Sequence, residues 1–224
     1  MNQIEIAPSI LSADFGYLMR DIESISSECR YLHLDVMDGH YVPNISIGLP
    51  VIASIRKHCD LIFDTHLMMT EPEKYIEDFV KAGSDRITFH VECSDDPHGL
   101  IKKIRDLGLA AGVAIHPDTP IEKIYPFLEK GACDQILVMS VRPGFGGQSY
   151  LEGSTQRISH VREILDRNGS EAVISVDGGI NIRTIADVAA AGARLIVAGS
   201  TVFKKEDKAQ AVRDLKKIAE ESIR

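Results

Sequence analysis

Short apolar runs alternate with longer amphipathic stretches along the whole chain, separated by turn residues such as Gly, Pro, Asp and Asn. The starts of the apolar runs advance by about 27 residues at each step, the length of one strand plus one helix. The pattern therefore predicts repeated β-α units. The eight candidate strands are residues 4–9, 31–36, 61–68, 86–91, 110–115, 135–140, 172–177 and 194–199.

The stretches between these runs have the period of amphipathic helices, and several end at a Gly, as helices often do. The predicted helices lie within residues 15–25, 75–80, 100–108, 121–131, 159–169 and 182–192. Pro126 lies inside one of these stretches, where it predicts a kinked or shortened helix.

Strict alternation of strands and helices predicts a parallel sheet with right-handed crossovers, and eight units suffice for a closed (β/α)8 TIM barrel. The alternative is an open, doubly wound sheet. The first β-α turn, PSILSADFG, lacks the glycine-rich sequence of a dinucleotide-binding fold. No linker or low-complexity segment divides the 224 residues, so we expect α/β architecture with a single barrel domain over residues 1–224.

The second candidate strand, YLHLDV, has one apolar and one polar face. Side chains alternate along a strand, so Leu32, Leu34 and Val36 share the face that meets the helices. His33 and Asp35 then point into the barrel near the carboxyl end of the strand, where barrel enzymes place their chemistry.

Two other strands continue this pattern. Asp64 and His66 alternate with apolar residues in the third strand, and Ser175 and Asp177 do so in the seventh. Burying several polar or charged groups together is costly unless they are paired or bind a metal. A lone strand histidine such as His90 is more typical of a hydrogen-bonded core residue. The candidate ligands for a divalent transition metal, with Zn, Fe, Co or Mn favoured over Ca or Mg, are His33, Asp35, His66 and Asp177.

Glycine-rich segments follow the last three strands: PGFGGQ at 143–148, DGG at 177–179 and AGS at 198–200. Barrels commonly bind a phosphate between the last loops, where missing side chains let a ligand approach backbone N–H groups. The segments therefore predict a phosphate site, and Arg142 is a candidate for additional positive charge.

The charge balance limits the partners. The chain has 25 basic and 33 acidic side chains, a formal charge of −8, which argues against nucleic acid or an anionic membrane as a general partner. The first residues, MNQIEIAPSI, have no basic region followed by an apolar core, and no run approaches the ~18 apolar residues of a membrane span, so we expect neither export nor membrane insertion. The four cysteines form no C-x-x-C pair, as is typical of a reducing compartment. We expect a cytoplasmic protein.

Seven segments carry a resemblance to a known family: APSILSADF, HLDVMDGHYVPNISIG, DTHLM, FHVE, MSVRPGFGGQSY, VDGGI and VAGSTVF. In this order, and across almost the whole chain, they resemble the ribulose-phosphate 3-epimerase family. The resemblance implies a ribulose-phosphate-binding TIM barrel that depends on a divalent metal, with zinc as the first choice. It also implies a homo-oligomer that inverts carbon 3 of a small phosphosugar, D-ribulose 5-phosphate, to give D-xylulose 5-phosphate in the pentose phosphate pathway. Close relatives that act on allulose 6-phosphate share much of this pattern, so that sugar is the alternative.

The resemblance also implies roles for individual residues. Asp35 and Asp177 match two acid/base carboxylates and, with His33 and His66, the metal ligands of the family. The residues that match sugar, methionine and phosphate contacts are Ser9, Met37, His66, Met68, Met139, Gly144, Phe145, Gly146, Gly147, Gly178, Gly179, Gly199 and Ser200. The chain departs from the usual family pattern at His116, at Arg142 and at CSDDP, residues 93–97.

Elementary chemistry agrees with this resemblance. Removing the carbon 3 proton beside the C2 carbonyl gives an enediolate, which needs an electrophile, and inversion needs carboxylates on both faces of it. A Schiff-base aldolase needs an inward lysine, and a related decarboxylase or synthase typically has lysine with aspartate on a strand. None of the predicted strands contains lysine. A phosphosugar-binding barrel without turnover stays as the non-enzyme alternative.

Overall fold

The computed structural model describes residues 3–223, and in this part of the chain eight parallel strands form one sheet. The strands are β1 (Glu5–Pro8), β2 (Tyr31–Met37), β3 (Ile62–Met68), β4 (Arg86–His90), β5 (Ala110–Ile115), β6 (Gln135–Met139), β7 (Val173–Asp177) and β8 (Leu195–Ala198). Their ends differ from the predicted ends by at most one residue, because each is a buried apolar run bounded by turn residues.

The sheet curves into a nearly closed barrel. Neighbours along the chain pair in order from β2 to β8, and β8 pairs with β1. A parallel bridge between Ser9 and His33 then brings the end of β1 against β2. The predicted TIM barrel is confirmed, and an open doubly wound sheet is excluded.

Helices cover the outside of the barrel. They are α1 (Leu18–Glu23), α2 (Leu49–Arg56), α3 (Ile76–Ala82), α4 (Pro97–Asp106), α5 (Ser154–Arg167), α6 (Ile185–Ala190), α7 (Ser200–Phe203) and α8 (Lys208–Glu221). Two of them begin at an aspartate cap: the Asp96 side chain accepts from the Gly99 N–H and Asp207 accepts from the Gln210 N–H. No helix within residues 3–223 is long and apolar enough to cross a membrane.

One predicted helix is wrong in type. The 121–131 segment forms a 3-10 helix over Ile121–Phe127 instead of an α-helix between β5 and β6. Pro126 lies in this segment and has no N–H to donate to the carbonyl four residues before it, which is the physical reason why the segment does not form an α-helix. Ile124 and Phe127 are still buried, so the segment covers the barrel as a helix would.

The alternation predicted for the strands is confirmed in the core. Leu32, Leu34 and Val36 belong to the main apolar cluster between sheet and helices, whereas His33 and Asp35 are buried on the opposite, inner face. Each strand thus supplies the outer core with one set of residues and the barrel interior with the other.

Candidate active site

Three strands bring the predicted metal ligands together. Asp35 lies directly opposite His66 in the β2–β3 ladder, and Asp177 ends β7. One donor atom from each of His33, Asp35, His66 and Asp177 lies within 4.8 Å of the others. The structure therefore brings all four predicted ligands into one cluster at the carboxyl ends of the strands.

His33 has a partner on one ring nitrogen and none on the other. Its Nδ1 lies 2.8 Å from Oδ2 of Asp64, a fully buried carboxylate on β3. Its Nε2 is buried without a hydrogen bond and faces Oδ1 of Asp35 at 3.3 Å. Ligand atoms around a metal at ~2.1 Å lie roughly 3 to 3.5 Å apart, and a metal-binding histidine usually gives its other N–H to a carboxylate. The donor set and the unpartnered Nε2 therefore fit a divalent transition metal.

His66 faces the cluster through Nδ1, which lies 3.2 Å from Oδ1 of Asp35 and 3.9 Å from Oδ2 of Asp177. Its Nε2 points the other way and lies 2.9 Å from Nε2 of His90 on β4. Burial lowers the pKa of His90 to about 4, although the neighbouring Glu92 opposes this shift. His90 is therefore neutral at neutral pH.

The pKa values of the two aspartates of the cluster are shifted in opposite directions. Burial disfavours the Asp35 carboxylate, but the charges of His33 and His66 and the hydrogen bond from His66 outweigh burial and hold the pKa of Asp35 well below its usual range. Burial and the charge of Asp35 raise the pKa of Asp177 to about 6. Two neighbouring carboxyl groups whose pKa values are pushed apart are typical of an acid/base pair.

Two serines hold Asp35 in place. The Ser9 hydroxyl donates to Oδ2 of Asp35 at 2.5 Å, and the Ser46 hydroxyl donates to its backbone carbonyl at 2.5 Å. Ser46 also accepts from the Met37 N–H at 3.0 Å. The predicted sugar contact Ser9 therefore lies at the cluster, where it also orients a carboxylate.

The cluster opens into a cleft of ≈ 370 Å³ at the mouth of the barrel. Three buried methionine side chains, Met37, Met68 and Met139, line it beside Asp35 and Asp177. Met139 lies opposite Asp177 in the β6–β7 ladder. The thioethers give this part of the cleft a polarisable wall without a strong proton donor.

The glycine loops line the same cleft, which contacts Gly144, Phe145, Gly146, Gly147, Gly178, Gly179, Gly199 and Ser200. A Cβ at Gly199 would lie 2.7 Å from the Ser12 hydroxyl, and one at Gly146 would lie 3.3 Å from it. The loops after β1, β6 and β8 thus meet around Ser12. Since backbone is exposed here without side chains, the loops suit an anion such as phosphate.

Two departures from the family pattern lie beside the cleft, not in it. Arg142 pairs with Asp118 through two hydrogen bonds of 2.9 and 3.1 Å. The His116 N–H donates to Glu92 at 3.0 Å. Both residues line a second cavity of ≈ 530 Å³, across the Pro143–Phe145 loop from the cleft. The charge of Arg142 is therefore already paired with a carboxylate.

Several residues that contribute to the site are not predicted as site residues from the sequence. Ser12 and Gln148 line the cleft, and the Asn44 side chain joins two loops by donating to the Gly144 carbonyl at 2.6 Å. Asp64 and His90 support the two histidines of the cluster. A signal for His90 exists in the chain, because RITFH alternates polar and apolar residues as YLHLDV does. Ser12 ends a short 3-10 turn after β1, Asn44 lies in a loop, and neither has such a signal.

A barrel with a histidine–aspartate cluster next to glycine loops defines a TIM-barrel enzyme of the phosphosugar class, and the comparisons with known proteins make this specific. A model of the ribulose-phosphate 3 epimerase family matches residues 5–203. A ribulose-phosphate 3-epimerase of Bacillus subtilis is 41% identical over 217 residues, which are 95% of this chain and 98% of the relative. One from Synechocystis is 44% identical over 212 residues, 93% of this chain and 91% of the relative.

The chain therefore belongs to the ribulose-phosphate 3-epimerase family and is an enzyme, an isomerase of pentose phosphate metabolism. The resemblance found in the sequence is confirmed. Solved structures support the fold alone. KGPDC from Streptococcus mutans has a TM-score of 0.73 at 15% identity, over 98% of this chain and 98% of that chain. A 3-hexulose-6-phosphate synthase has a TM-score of 0.67 at 20% identity, over 96% of this chain and 99% of that chain.

Proposed function

We propose that this enzyme interconverts D-ribulose 5-phosphate and D-xylulose 5-phosphate with the help of one divalent transition metal, zinc as the first choice. The observation that carries the proposal is the placement of Asp35 and Asp177, with pKa values shifted in opposite directions, in one cleft with the glycine loops and in one cluster with His33 and His66. Relatives named for this activity are 41 to 44% identical to the chain, which supports the choice of sugar.

The reaction requires a proton to leave carbon 3 on one face and another to arrive on the opposite face. Asp35, which is ionised, is suited to take the proton. Asp177, whose pKa is raised to about 6, is suited to supply one. The roles exchange in the reverse direction. Ser9 keeps Oδ2 of Asp35 oriented through its 2.5 Å hydrogen bond.

His33, Asp35, His66 and Asp177 would hold the metal, and when bound it supplies the electrophile that stabilises the negative charge of the enediolate. Met37, Met68 and Met139 surround this part of the cleft, exclude water and offer no acidic proton that would quench the charge prematurely. The glycine loops and Ser200 bind the phosphate at the other side of the cleft, through backbone N–H groups and a hydroxyl. A protein with a negative net charge thus binds an anion at one local site, the glycine loops.

Deuterium exchange at carbon 3 tests this proposal. Wild-type enzyme with metal is expected to exchange the carbon 3 proton of ribulose 5-phosphate with solvent and to form xylulose 5-phosphate. Asp177→Asn is expected to lose turnover by several orders of magnitude. Absence of exchange in the wild type would instead support a phosphosugar-binding barrel without turnover.

A second assay tests the metal requirement and the sugar preference separately. Chelation is expected to abolish epimerisation, and adding back Zn, Mn, Fe or Co singly identifies the ions that restore it. Equal rates before and after chelation would refute metal dependence. Allulose 6-phosphate is assayed in parallel, and a faster rate on it would show that it, and not the pentose phosphate, is the preferred substrate. A homo-oligomer, one domain over residues 1–224 and a cytoplasmic location stay predictions.

A further inference from the structure

A third histidine, His90, lies directly behind His66 and outside the metal cluster. His90 is fully buried, and its ring stacks on that of His66 at a centroid distance of 5.0 Å and an interplanar angle of 29°. Their Nε2 atoms lie 2.9 Å apart. A hydrogen bond at this distance needs one nitrogen that carries a proton and one that does not, so the tautomers of the two rings are coupled.

We propose that His90, directed by Glu92, is a positioning residue that fixes the tautomer of His66 and so presents its Nδ1 as a metal ligand. This inference rests on the metal site of the proposed function. His66 Nδ1 faces Asp35 and therefore lies on the ligand side of the ring. Its Nε2 must then carry the proton and donate it to His90 Nε2.

The far side of His90 determines the direction of this chain of hydrogen bonds. Since His90 Nε2 accepts, its Nδ1 must carry the proton of the neutral ring. This nitrogen faces the Tyr41 hydroxyl at 2.9 Å and Oε2 of Glu92 at 3.4 Å. An ionised carboxylate only accepts hydrogen bonds, so Glu92 favours the tautomer of His90 that carries the proton on Nδ1.

Glu92 is itself held as a carboxylate by its surroundings. Its Oε1 accepts from the backbone N–H of His116 at 3.0 Å. Burial disfavours its charge, but hydrogen bonds from His90 and Thr119 outweigh burial and lower the pKa of Glu92 to about 2. The chain from Glu92 through His90 to His66 therefore has a fixed acceptor at its end.

The two ligand histidines thus have supports of different charge. His33 gives its Nδ1–H to the carboxylate of Asp64, whereas His66 gives its Nε2–H to a neutral imidazole. Partners of this kind orient a metal ligand, and their loss typically weakens metal binding by ~10- to 100-fold. His90 is therefore expected to act on metal affinity more than on the proton-transfer step.

Cobalt binding tests the inference, with Co²⁺ alone added to chelator-treated full-length protein. We expect His90→Phe to bind Co²⁺ ~10- to 100-fold more weakly than wild type and to change the visible absorption of the bound ion. His90→Gln restores an acceptor at nearly the same place and is expected to recover most of the affinity. Glu92→Gln introduces a group that also donates, which permits the wrong tautomers, so we expect several-fold weaker binding.

His160→Phe is the matched control, because His160 also bonds to a tyrosine, Tyr125 at 2.8 Å, on the outside of the barrel. It is expected to bind Co²⁺ as wild type does. Circular dichroism confirms folding for each variant, and Glu92→Gln carries the test if His90→Phe does not fold.

If folded His90→Phe binds Co²⁺ with the affinity and spectrum of wild type, the inference is overturned and the metal site stands. Where His90→Phe does not fold, the same result in Glu92→Gln overturns the inference. Equal losses in His90→Phe and His90→Gln would also overturn it, because packing alone would then explain them. A wild type that binds no Co²⁺ would refute the metal site itself and the inference with it.

Discussion

Metal binding is expected to release a proton from His33. Burial opposes protonation of this ring, but the nearby charges of Asp35 and Asp64 and the hydrogen bond to Asp64 outweigh burial and raise its pKa well above the usual value. In the metal-free protein near pH 7 we therefore expect His33 to carry protons on both nitrogens. A metal needs the unprotonated Nε2, so the proton must leave as the metal binds.

The size of the effect follows from the number of protons displaced. One proton makes the apparent metal affinity rise about tenfold per pH unit, equivalent to ~1.4 kcal/mol. Between pH 6.5 and 7.5 we expect a slope of about one in log affinity against pH. Below pH 6 Asp177 is also protonated, since its pKa is raised to about 6, and the slope is expected to approach about two.

Zinc affinity measured by competition with a chromophoric chelator, from pH 5.5 to 7.5, gives this slope directly. Calorimetry in two buffers of different ionisation enthalpy counts the released protons independently. Asp177→Asn is expected to keep a slope of about one throughout, and Asp64→Asn to flatten the slope near pH 7.5, because it removes a charge that raises the pKa of His33. A slope of zero between pH 6.5 and 7.5 would refute the reasoning.

Three further predictions follow from other parts of the site. Burial raises the pKa of Asp177 to about 6, so ionisation of this carboxyl group above that pH lowers the stability of the native state. In chelator at pH 8, urea unfolding should show Asp177→Asn to be more stable than wild type by up to ~3 kcal/mol, with no gain at pH 4. Equal stability at pH 8 would contradict this. Gly179→Ala should lose ~2 to 5 kcal/mol and the activity, because φ is +65° and the added Cβ would overlap a neighbouring backbone segment. Gly169→Ala, with φ +61° and open space around it, should lose only ~1 to 2 kcal/mol, and equal losses would refute the role of crowding. Arg142→Ala should leave competitive inhibition by inorganic phosphate unchanged, since its charge is paired with Asp118, and a tenfold weaker inhibition would show that Arg142 does bind the anion.

The strands and the four cluster residues were predictable because both depend on a local rule. A buried parallel strand is a short apolar run, and alternation along it decides which side chains face inward. The same rule applied to RITFH places His90 inside the barrel. What it leaves open is the contact between two side chains, since the 2.9 Å approach of His66 to His90 depends on ring rotations on separate strands.

Loops and the segment after β5 were less predictable for a different reason. The stretch 121–131 has helical apolar spacing, but Pro126 lacks the N–H that an α-helix needs at this position, and the segment forms a 3-10 helix. Ser12 reaches the cleft from a 3-10 turn after β1 and lies close to the Gly146 and Gly199 backbones, which come from distant segments. Such convergence of distant segments has no periodic signal in the chain.

The register of the sheet explains why the chemistry can persist while the surrounding loops differ. Asp35 faces His66, and Met139 faces Asp177, as direct partners in parallel ladders. A slip of one residue would turn each of these side chains toward the helices, so the cluster exists only in this register. His116 follows the end of β5 and lines the second cavity, and the 93–97 segment lies beyond the end of β4, so changes at these positions leave the ladders in place. Differences in those loops are therefore expected to affect which sugar binds and how tightly, whereas the position of the two carboxylates depends on the barrel itself.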